Sequence, residues 1–432
     1  MIKISQVDLV SMSEPLISPF GFKGGYLSEL WQIVASMVSD TGNTGIGLGL
    51  QSVLWSDPDI FASFQEKKGN KLMFDMTRYA LNCIKGISFE NPMELLDEIL
   101  HEVHTYGKKI TGNPDLKLTF TLNSLAVLDY AAWMLYCKEN GISMFDGMLP
   151  ETIRPALSFR NTSVANIPVI GYTVSGEEIN GLLNDGCCIL KIKIGSDPEK
   201  DGNTGKMLEW DKRRLSLIHS IAKDRWTPHT KTGRILYYLD ANGRYDKKDT
   251  VLRFLDYADK IGAMVRILLF EEPFSDGCRE DVHDIPVRLA VDESAHSDGD
   301  VRELISCGYS AVALKPFAKT MSMTLKILKT AFENSVACFC ADLTVNPVLV
   351  DWNKNIAARI APLPEMNMGI LESNGAQNYL NWNRMKTYHP CFKSRWIDPV
   401  KGVFELDDDF YKKSGGIFES PSYYTALLQK SK

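Results

Sequence analysis

Acidic and amide side chains stand at the ends of three successive apolar segments in the second half of this sequence. These residues are Asp240, Asn242, Glu271, Glu272, Asp292 and Glu293. Burying a carboxylate is costly unless a partner compensates its charge. Each segment contributes one acid to a common set, Asp240, Glu271 and Asp292. With no His or Cys nearby, all-oxygen ligands favour a hard divalent cation, Mg²⁺ before Mn²⁺ or Ca²⁺.

The second glutamate of "FEEP", Glu272, is then expected to support a metal ligand or to form an ion pair. Taken singly, each acid is also explained as a helix N-cap or a salt-bridge partner. Three acids at matched positions on consecutive segments favour the metal site over three such coincidences.

Three lysines lie at the ends of two further segments. Side chains alternate along a strand, so Lys191 and Lys193 of "KIK" point to one face. In an eight-stranded barrel the second and sixth strands are opposite each other, which places Lys193 across from Lys315. A lysine is a base near neutral pH only when burial or positive charge lowers its pKa. Lys191 and the metal are the candidate sources of that charge; the alternative for each lysine is a solvated strand end.

Short apolar runs separated by helical patterns must position these residues. Repeated strand–helix units predict parallel strands, and eight of them predict a (β/α)₈ barrel whose active site lies at the carboxyl ends of the strands. A doubly wound sheet is the alternative. The seventh and eighth runs end in Asp342 and Glu372. The runs cover residues 167–174, 187–195, 235–243, 267–273, 287–294, 311–317, 337–342 and 368–373.

The rest of the chain has a different pattern. Residues 1–150 contain alternating strand patterns followed by helical patterns at 93–107 and 121–141, and the glycine-rich stretch "GNTGIGLGL" is interpreted as a hairpin and strand. The barrel is assigned to 151–380. The aromatic tail from about 380 to 432 is expected to pack back on the first domain.

Composition limits the function classes. The net charge of −6 gives no electrostatic reason to expect nucleic acid or an anionic membrane as partner. Nine scattered cysteines lack zinc-ligand spacing, and the start of the chain shows no signal-peptide pattern. No apolar run reaches the length of about 18 residues that a membrane-spanning helix needs. A reducing, cytoplasmic setting is expected.

Five short motifs resemble the enolase superfamily, in its mandelate racemase and muconate lactonising enzyme branch. They are "KIK" (191–193), "LDAN" (239–242), "FEEP" (270–273), "VDES" (291–294) and "ALKP" (313–316), in the order and spacing of that superfamily. "GISMFDGML" also resembles the end of its first domain. Each motif is weak alone, and the five in order at strand ends are a strong signal.

The resemblance implies a modified (β/α)₈ TIM barrel with an N-terminal α+β capping domain. It implies one Mg²⁺ held by Asp240, Glu271 and Asp292. By similarity to the lysine–lysine subgroup, Lys193 and Lys315 would be the acid/base pair, with Lys191 assisting Lys193. The shared chemical step of the superfamily is removal of the proton α to a carboxylate, which forms a metal-stabilised enolate.

Several residues depart from known subgroups. Lys315 and Asp342 stand where acid-sugar dehydratases have aspartate and histidine. The single Glu372 of "LESNG" replaces the Asp-x-Asp that holds the amino group in dipeptide epimerases. A flap at 14–29 is expected to close over the site, where four of its residues would contact an aromatic or anionic substrate tail; the alternative is loop packing. These residues are Phe20, Phe22, Lys23 and Tyr26.

The sequence thus predicts an isomerase acting on a small-molecule carboxylate. Two opposed lysines favour a racemase or epimerase of an amino-acid derivative or dipeptide-like carboxylate, because inversion needs a proton donor on each face. Cycloisomerisation and syn-dehydration of a sugar acid use the same residues and remain alternatives, as does a non-catalytic binding protein on the same fold. A homo-oligomer is expected by analogy with barrels of this kind.

Overall fold

An antiparallel sheet forms the first part of the molecule. The computed structural model describes residues 1–22 and 25–430, apart from the side chains of residues 20–22. Strands β1 and β2 form a long hairpin, and the sheet order is β3-β2-β1-β4. The hairpin includes the segment expected to be a flap, and its register shifts between Pro15 and Phe20. The strands are β1 (Ile2–Phe22), β2 (Gly25–Ser39), β3 (Thr44–Gln51) and β4 (Ser88–Phe89).

Helices cover one face of this sheet. Helix α4 packs against β3 and is buried on nearly all sides. By length and composition α4 could cross a membrane, which the sequence analysis did not anticipate, but 94% of its apolar window is buried in the protein. Its burial is that of a core helix. The helices are α1 (Val53–Ser56), α2 (Pro58–Ile84), α3 (Pro92–Thr111), α4 (Leu118–Glu139) and α5 (Phe145–Met148), with a 3₁₀ helix at Arg154–Leu157.

A parallel barrel forms the second part. The strand order is β5-β13-β12-β11-β10-β9-β8-β7-β6, with β14 outside β5. Pro168 divides the first barrel strand, so that β5 pairs with β13 and β6 pairs with β7. The strands are β5 (Ser163–Ile167), β6 (Val169–Ile170), β7 (Ile189–Lys193), β8 (Leu236–Asp240), β9 (Ile267–Glu271), β10 (Leu289–Val291), β11 (Ala311–Leu314), β12 (Ala337–Cys340), β13 (Gly369–Glu372) and β14 (Val403–Glu405).

This pairing confirms the capped barrel and shows that the doubly wound alternative is wrong. In an open sheet the first strand would not pair with both the second and the eighth strand. The first strand was predicted at 167–174 and lies at 163–170 instead. The prediction began the strand too late because apolar residues lie on both sides of Pro168. Proline cannot donate a ladder hydrogen bond, and here it marks a break inside the strand.

Helices connect the barrel strands on the outside. A 3₁₀ turn at Met264–Arg266 precedes β9, and a loop without a helix joins β9 to β10. The barrel is therefore not a regular repeat. The helices are α6 (Gly176–Asn184), α7 (Thr204–Ala222), α8 (Lys248–Lys260), α9 (Asp298–Ser306), α10 (Pro316–Lys319), α11 (Met321–Glu333), α12 (Pro347–Ala357), α13 (Gly375–Asn378) and α14 (Trp382–Lys386).

The C-terminal tail packs on both parts of the molecule. It contains α15 (Asp408–Lys413), a 3₁₀ turn at Ser414–Gly416 and α16 (Ser422–Lys430). Strand β14 pairs antiparallel with barrel strand β5, while α16 contacts β1 and β2. Asn381 Nδ2 also donates to Glu14 Oε2 at 2.9 Å, and Ser414 Oγ accepts from Phe145 N at 2.9 Å, so several parts of the tail contact the first domain while β14 joins the barrel. The domain boundaries at 150 and 380 stay predictions.

Candidate active site

The acids predicted as metal ligands lie at the carboxyl ends of three neighbouring barrel strands. Asp240 ends β8, Glu271 ends β9, and Asp292 follows β10. All three side chains are fully buried. Parallel strands end at one rim of the barrel, so three residues far apart in sequence come to the same place.

Lys191 of β7 lies among these acids. Its Nζ donates to Glu271 Oε1 at 3.0 Å and to Glu372 Oε2 at 2.9 Å, and lies 3.0 Å from Asp240 Oδ2. Tyr238, two residues before Asp240 on β8, donates its hydroxyl hydrogen to Glu271 Oε2. Sequence reasoning did not single out Tyr238; its position two residues before Asp240, on the same face of β8, was the available signal.

Lys193 binds the same aspartate from the rim. Its Nζ donates to Asp240 Oδ2 at 2.6 Å and to Asn242 Oδ1 at 2.8 Å. Asn242 has φ +47°, a left-handed conformation that asparagine tolerates better than most residues. Its Nδ2 donates to Glu293 Oε1 at 3.0 Å. Asn242 thus links Lys193 to the end of β10.

Lys315, after β11, binds the third acid. Its Nζ donates to Asp292 Oδ2 and lies 4.9 Å from the centroid of the Trp55 ring, which comes from the capping domain. A second buried lysine, Lys319, donates to the Asp292 backbone carbonyl at 2.5 Å. Sequence reasoning missed Lys319. A lysine four residues after Lys315 in the apolar stretch "LKPFAKTM" was the signal that could have indicated it.

The acids and lysines set each other's pKa values. Burial alone would lower the pKa of Lys191, but the charges of Asp240 and Glu271 raise it above the ordinary lysine value. The pKa of Lys315 is likewise raised by Asp292 against the effect of burial. In both lysines the nearby carboxylates outweigh the effect of burial, and the expected lowering of a lysine pKa by Lys191 and the metal stays a prediction.

The carboxylates respond in different directions. Burial by itself would raise the pKa of Asp240, but Lys191 and Lys193 hold it well below the usual carboxyl range. Burial and the charge of Asp240 raise the pKa of Glu271 well above that range. Three acids in one buried place therefore repel each other, and the lysines only partly relieve that repulsion.

Glu272 has a supporting position. Its carboxylate accepts hydrogen bonds from the backbone N–H groups of Asp292 and Ser294, at 2.8 and 3.1 Å. Burial and the charge of Glu293 raise its pKa to about 8. Glu272 has φ +43°, so the backbone turns sharply between it and Glu271. Of the two adjacent glutamates, Glu271 therefore contacts Lys191, and Glu272 binds the backbone that follows β10.

Asp342 and Glu372 lie on the opposite side of the pocket. Asp342 accepts backbone hydrogen bonds from Leu343, Val345 and Asn374, which ties the loops after β12 and β13 together. Burial and the charge of Glu372 raise its pKa to about 7. Glu372 contacts Lys191, as described, and accepts from Asn374 Nδ2 at 3.1 Å. Asp342 organises the rim, and Glu372 holds a lysine.

The capping domain closes the pocket above these residues. Its contribution consists of Leu16, Leu27, Leu30, Ser52 and Trp55. Of the flap residues predicted to contact substrate, Tyr26 is 60% exposed and does not line the pocket. Phe20, Phe22 and Lys23 lie outside the described side chains. Among the described residues, the apolar lining consists of the hairpin leucines and Trp55 from the capping domain, with Val169 and Leu343 from the barrel.

The donor set fits a hard divalent cation. Asp240, Glu271 and Asp292 supply buried carboxylate oxygens, and Asp292 Oδ1 accepts no hydrogen bond within the described part of the chain. Within residues 1–22 and 25–430, no group of three or more His, Cys, Asp or Glu side chains is already gathered as ligands. Lysine ammonium groups lie between the acids, so a cation would have to take over their contacts.

Solved structures with a similar backbone fold are known. A dipeptide epimerase from Enterococcus faecalis complexed with Mg and the dipeptide L-Leu-L-Tyr has a TM-score of 0.61, 16% identity, and coverage of 94% of this chain and 97% of that one. A mandelate racemase/muconate lactonizing protein from Herpetosiphon aurantiacus has a TM-score of 0.62, 15% identity, and coverage of 94% and 96%. The fold is that of the enolase superfamily.

A third structure with this fold is the N-succinyl Arg/Lys racemase from Bacillus cereus, with a TM-score of 0.61, 16% identity, and coverage of 88% and 89%. No family model matches the chain, and no curated protein matches it in sequence. The enolase-superfamily fold is therefore established by the backbone, and the resemblance of the five motifs agrees with it.

Proposed function

We propose that this chain is a Mg²⁺-dependent enzyme that removes the proton α to a substrate carboxylate, and that it is a racemase or epimerase of an amino-acid derivative or dipeptide-like carboxylate. The observation that carries the proposal is the placement of Lys193 and Lys315. Lys193 ends β7 and Lys315 follows β11, and these two strands are separated in the barrel by the three strands that carry the acids. Solved structures with this fold include dipeptide epimerases and an N-succinyl Arg/Lys racemase, which supports inversion at an α carbon.

Asp240, Glu271 and Asp292 would hold the Mg²⁺, with Mn²⁺ as the alternative ion. When bound, the cation would act as a Lewis acid on the substrate carboxylate and stabilise the negative charge that develops on its oxygens. Two of the dipeptide epimerases with this fold are complexes with Mg, which supports the choice of ion.

The two lysines would exchange protons with the α carbon from opposite faces. One lysine must be neutral to accept the proton at Nζ, while the opposite ammonium donates its proton to the other face. After one turnover their protonation states are reversed. Lys193 is oriented by Asp240 and Asn242, Lys315 by Asp292 and the face of Trp55. Lys191, held by Glu372, would supply fixed positive charge beside Lys193.

The other predicted properties are proposals of the same kind. All nine cysteines are free thiols, which supports a reducing, cytoplasmic setting. A small-molecule carboxylate is the proposed partner, without nucleic acid or membrane. Self-association stays a prediction.

A deuterium-exchange experiment tests the function. N-acyl amino acids, dipeptides and sugar acids are incubated with the protein and Mg²⁺ in D₂O, and loss of the α-proton signal is followed by NMR. We expect Mg²⁺-dependent exchange in one class, with Lys193→Ala stopping exchange from one stereoisomer and Lys315→Ala from the other.

The outcomes separate the alternatives. Exchange that survives in both lysine variants contradicts the two-lysine assignment. Release of a 2-keto acid from a sugar acid indicates a syn-dehydratase, a cyclised product indicates a cycloisomerase, and no exchange from any class with retained ligand binding indicates a non-catalytic binding protein.

A further inference from the structure

Lys319 is a fully buried lysine that the proposed reaction does not use. It ends α10, four residues after Lys315, and its side chain has no exposed surface. A buried ammonium group is costly unless acids and hydrogen-bond acceptors surround it. Its partner is the residue predicted to be the third metal ligand: Nζ donates to the backbone carbonyl of Asp292 at 2.5 Å and lies 3.7 Å from Asp292 Oδ1.

Asp292 is therefore held at both of its peptide groups. Its N–H donates to Glu272 Oε2 at 2.8 Å, and its carbonyl oxygen accepts from Lys319. The side chain is fixed as well, because Oδ2 accepts from Lys315. Oδ1 is left as a buried oxygen that accepts no hydrogen bond from the described residues. These contacts fix the direction in which Asp292 presents this oxygen.

The residue after Lys319 has an unusual backbone conformation. Thr320 has φ +69° and ψ 155°, a region rarely adopted by a β-branched residue. The same threonine caps α11 through a hydrogen bond from Met323 N at 3.0 Å. The strain at Thr320 is thus maintained by the start of α11 on one side and by the Lys319–Asp292 contact on the other.

We propose that Lys319 is a positioning residue that fixes Asp292 as a ligand for the divalent cation. The inference rests on the proposed function, since it assumes a cation at these acids. Lys319 does not itself touch substrate or metal; it acts through the carbonyl group of Asp292. Side chains that orient metal ligands in this way typically contribute about 10- to 100-fold to metal affinity.

Isothermal titration of the protein with Mg²⁺ tests the proposal. In Lys319→Met the apolar stem is retained and the ammonium is lost, so we expect the Kd for Mg²⁺ to rise about 10- to 100-fold. Lys354→Met is the matched control: Lys354 is also buried and pairs with an acid, Asp351, at 2.6 Å, but it lies on α12 away from the site. The control is expected to lower the melting temperature and to leave the Kd unchanged.

Rescue distinguishes positioning from a general loss of structure. In Lys319→Ala, added propylammonium chloride has the three carbons and the ammonium group that the substitution removes, so Mg²⁺ affinity should recover; tetramethylammonium chloride, which has no N–H, should not restore it. If Lys319→Met does not fold, this comparison decides. A Kd equal to or lower than that of wild type in the Lys319 variants, or equal recovery with both salts, overturns the inference. Wild-type protein that binds no Mg²⁺ contradicts the proposed function instead.

Discussion

At the scale of single residues, buried charges in this protein are compensated by partners that come from distant parts of the chain. Asp292 shows this most fully, since Lys315, Lys319 and Glu272 each bind a different group of it. Lys191 is compensated by acids on three other strands. Each buried charge therefore depends on several elements being in place at once, which links the electrostatics of the site to the integrity of the barrel.

Asp129 offers a pH prediction away from the site. This α4 residue accepts hydrogen bonds from Ser322 N and Oγ, and burial raises its pKa from 3.8 to about 7. The folded protein therefore holds a proton at Asp129 that the unfolded chain releases, so the stability contributed by the neutral acid is lost as the pH rises from about 4 to about 7. In Asp129→Asn, which cannot ionise, we expect this decline to be absent, with the difference approaching about 4 kcal/mol at most.

The measurement is the free energy of unfolding in urea at pH 4.5 and pH 8 for both proteins. Groups common to the two proteins cancel in the difference. If the difference between Asp129→Asn and wild type is the same at the two pH values, Asp129 is ionised in the folded state at both, and the prediction is wrong.

At the scale of elements, glycines decide how closely β3 approaches α4. Gly45, Gly47 and Gly49 alternate along the strand on the face toward the helix. A Cβ at Gly47 would lie 2.1 Å from Val127 O and 2.6 Å from Ala131 N, which are backbone atoms and cannot rotate away. The stretch "GNTGIGLGL" is a hairpin and strand as interpreted, and the structure gives the reason for its glycines: the sheet and the helix pack backbone to backbone.

Gly47→Ala is expected to lower the free energy of unfolding by about 1–3 kcal/mol, because the strand or helix must move to admit the methyl group. The matched substitution is Gly181→Ala in α6, where the added Cβ meets nothing within 4 Å. It should raise stability by about 0.5–1 kcal/mol, since alanine is the better helix former. Chemical denaturation of both variants checks this, and equal effects would show that close packing at β3 is not limiting.

At the scale of the whole molecule, Asn123 joins the capping domain to the barrel. Its Nδ2 donates to Leu50 O at 2.8 Å and to Phe317 O at 2.7 Å, so one amide group binds both β3 and α10, the helix that follows Lys315. Its Oδ1 accepts from Ser52 N and Ser56 Oγ. The position of Lys315 is therefore coupled to the capping domain through Asn123 as well as through Trp55.

Asn123→Ala should lower the free energy of unfolding by about 3–5 kcal/mol, because it leaves several buried polar groups without partners. Asn140→Ala is the control, because Asn140 lies at the exposed end of the same helix. Within the described structure, its side chain makes one hydrogen bond, from Nδ2 to Tyr136 O. We expect an effect on the free energy of unfolding within about 0.5 kcal/mol. Similar losses in the two variants, measured by urea denaturation, would contradict a joining role for Asn123.

The order of residues alone predicts the eight barrel strands and the acids and lysines at their ends. It could do so because buried parallel strands are short apolar runs and because the polar residue that ends each run is local information. It also predicts α3 and α4 to within a few residues. It did not indicate α2, a helix of 27 residues with weak amphipathicity and a kink at Gln65.

Which charges meet is visible only in the folded barrel. The contact of Lys319 with Asp292, the bond from Tyr238 to Glu271, the Lys191–Glu372 pair and the backbone bonds of Glu272 all join residues that come from different strand–helix units of the barrel. The hairpin that contains the expected flap also depends on pairing between β1 and β2. Such contacts are set by the closure and stagger of the barrel and by the packing of the cap on its rim, and neither is encoded in any local stretch of residues.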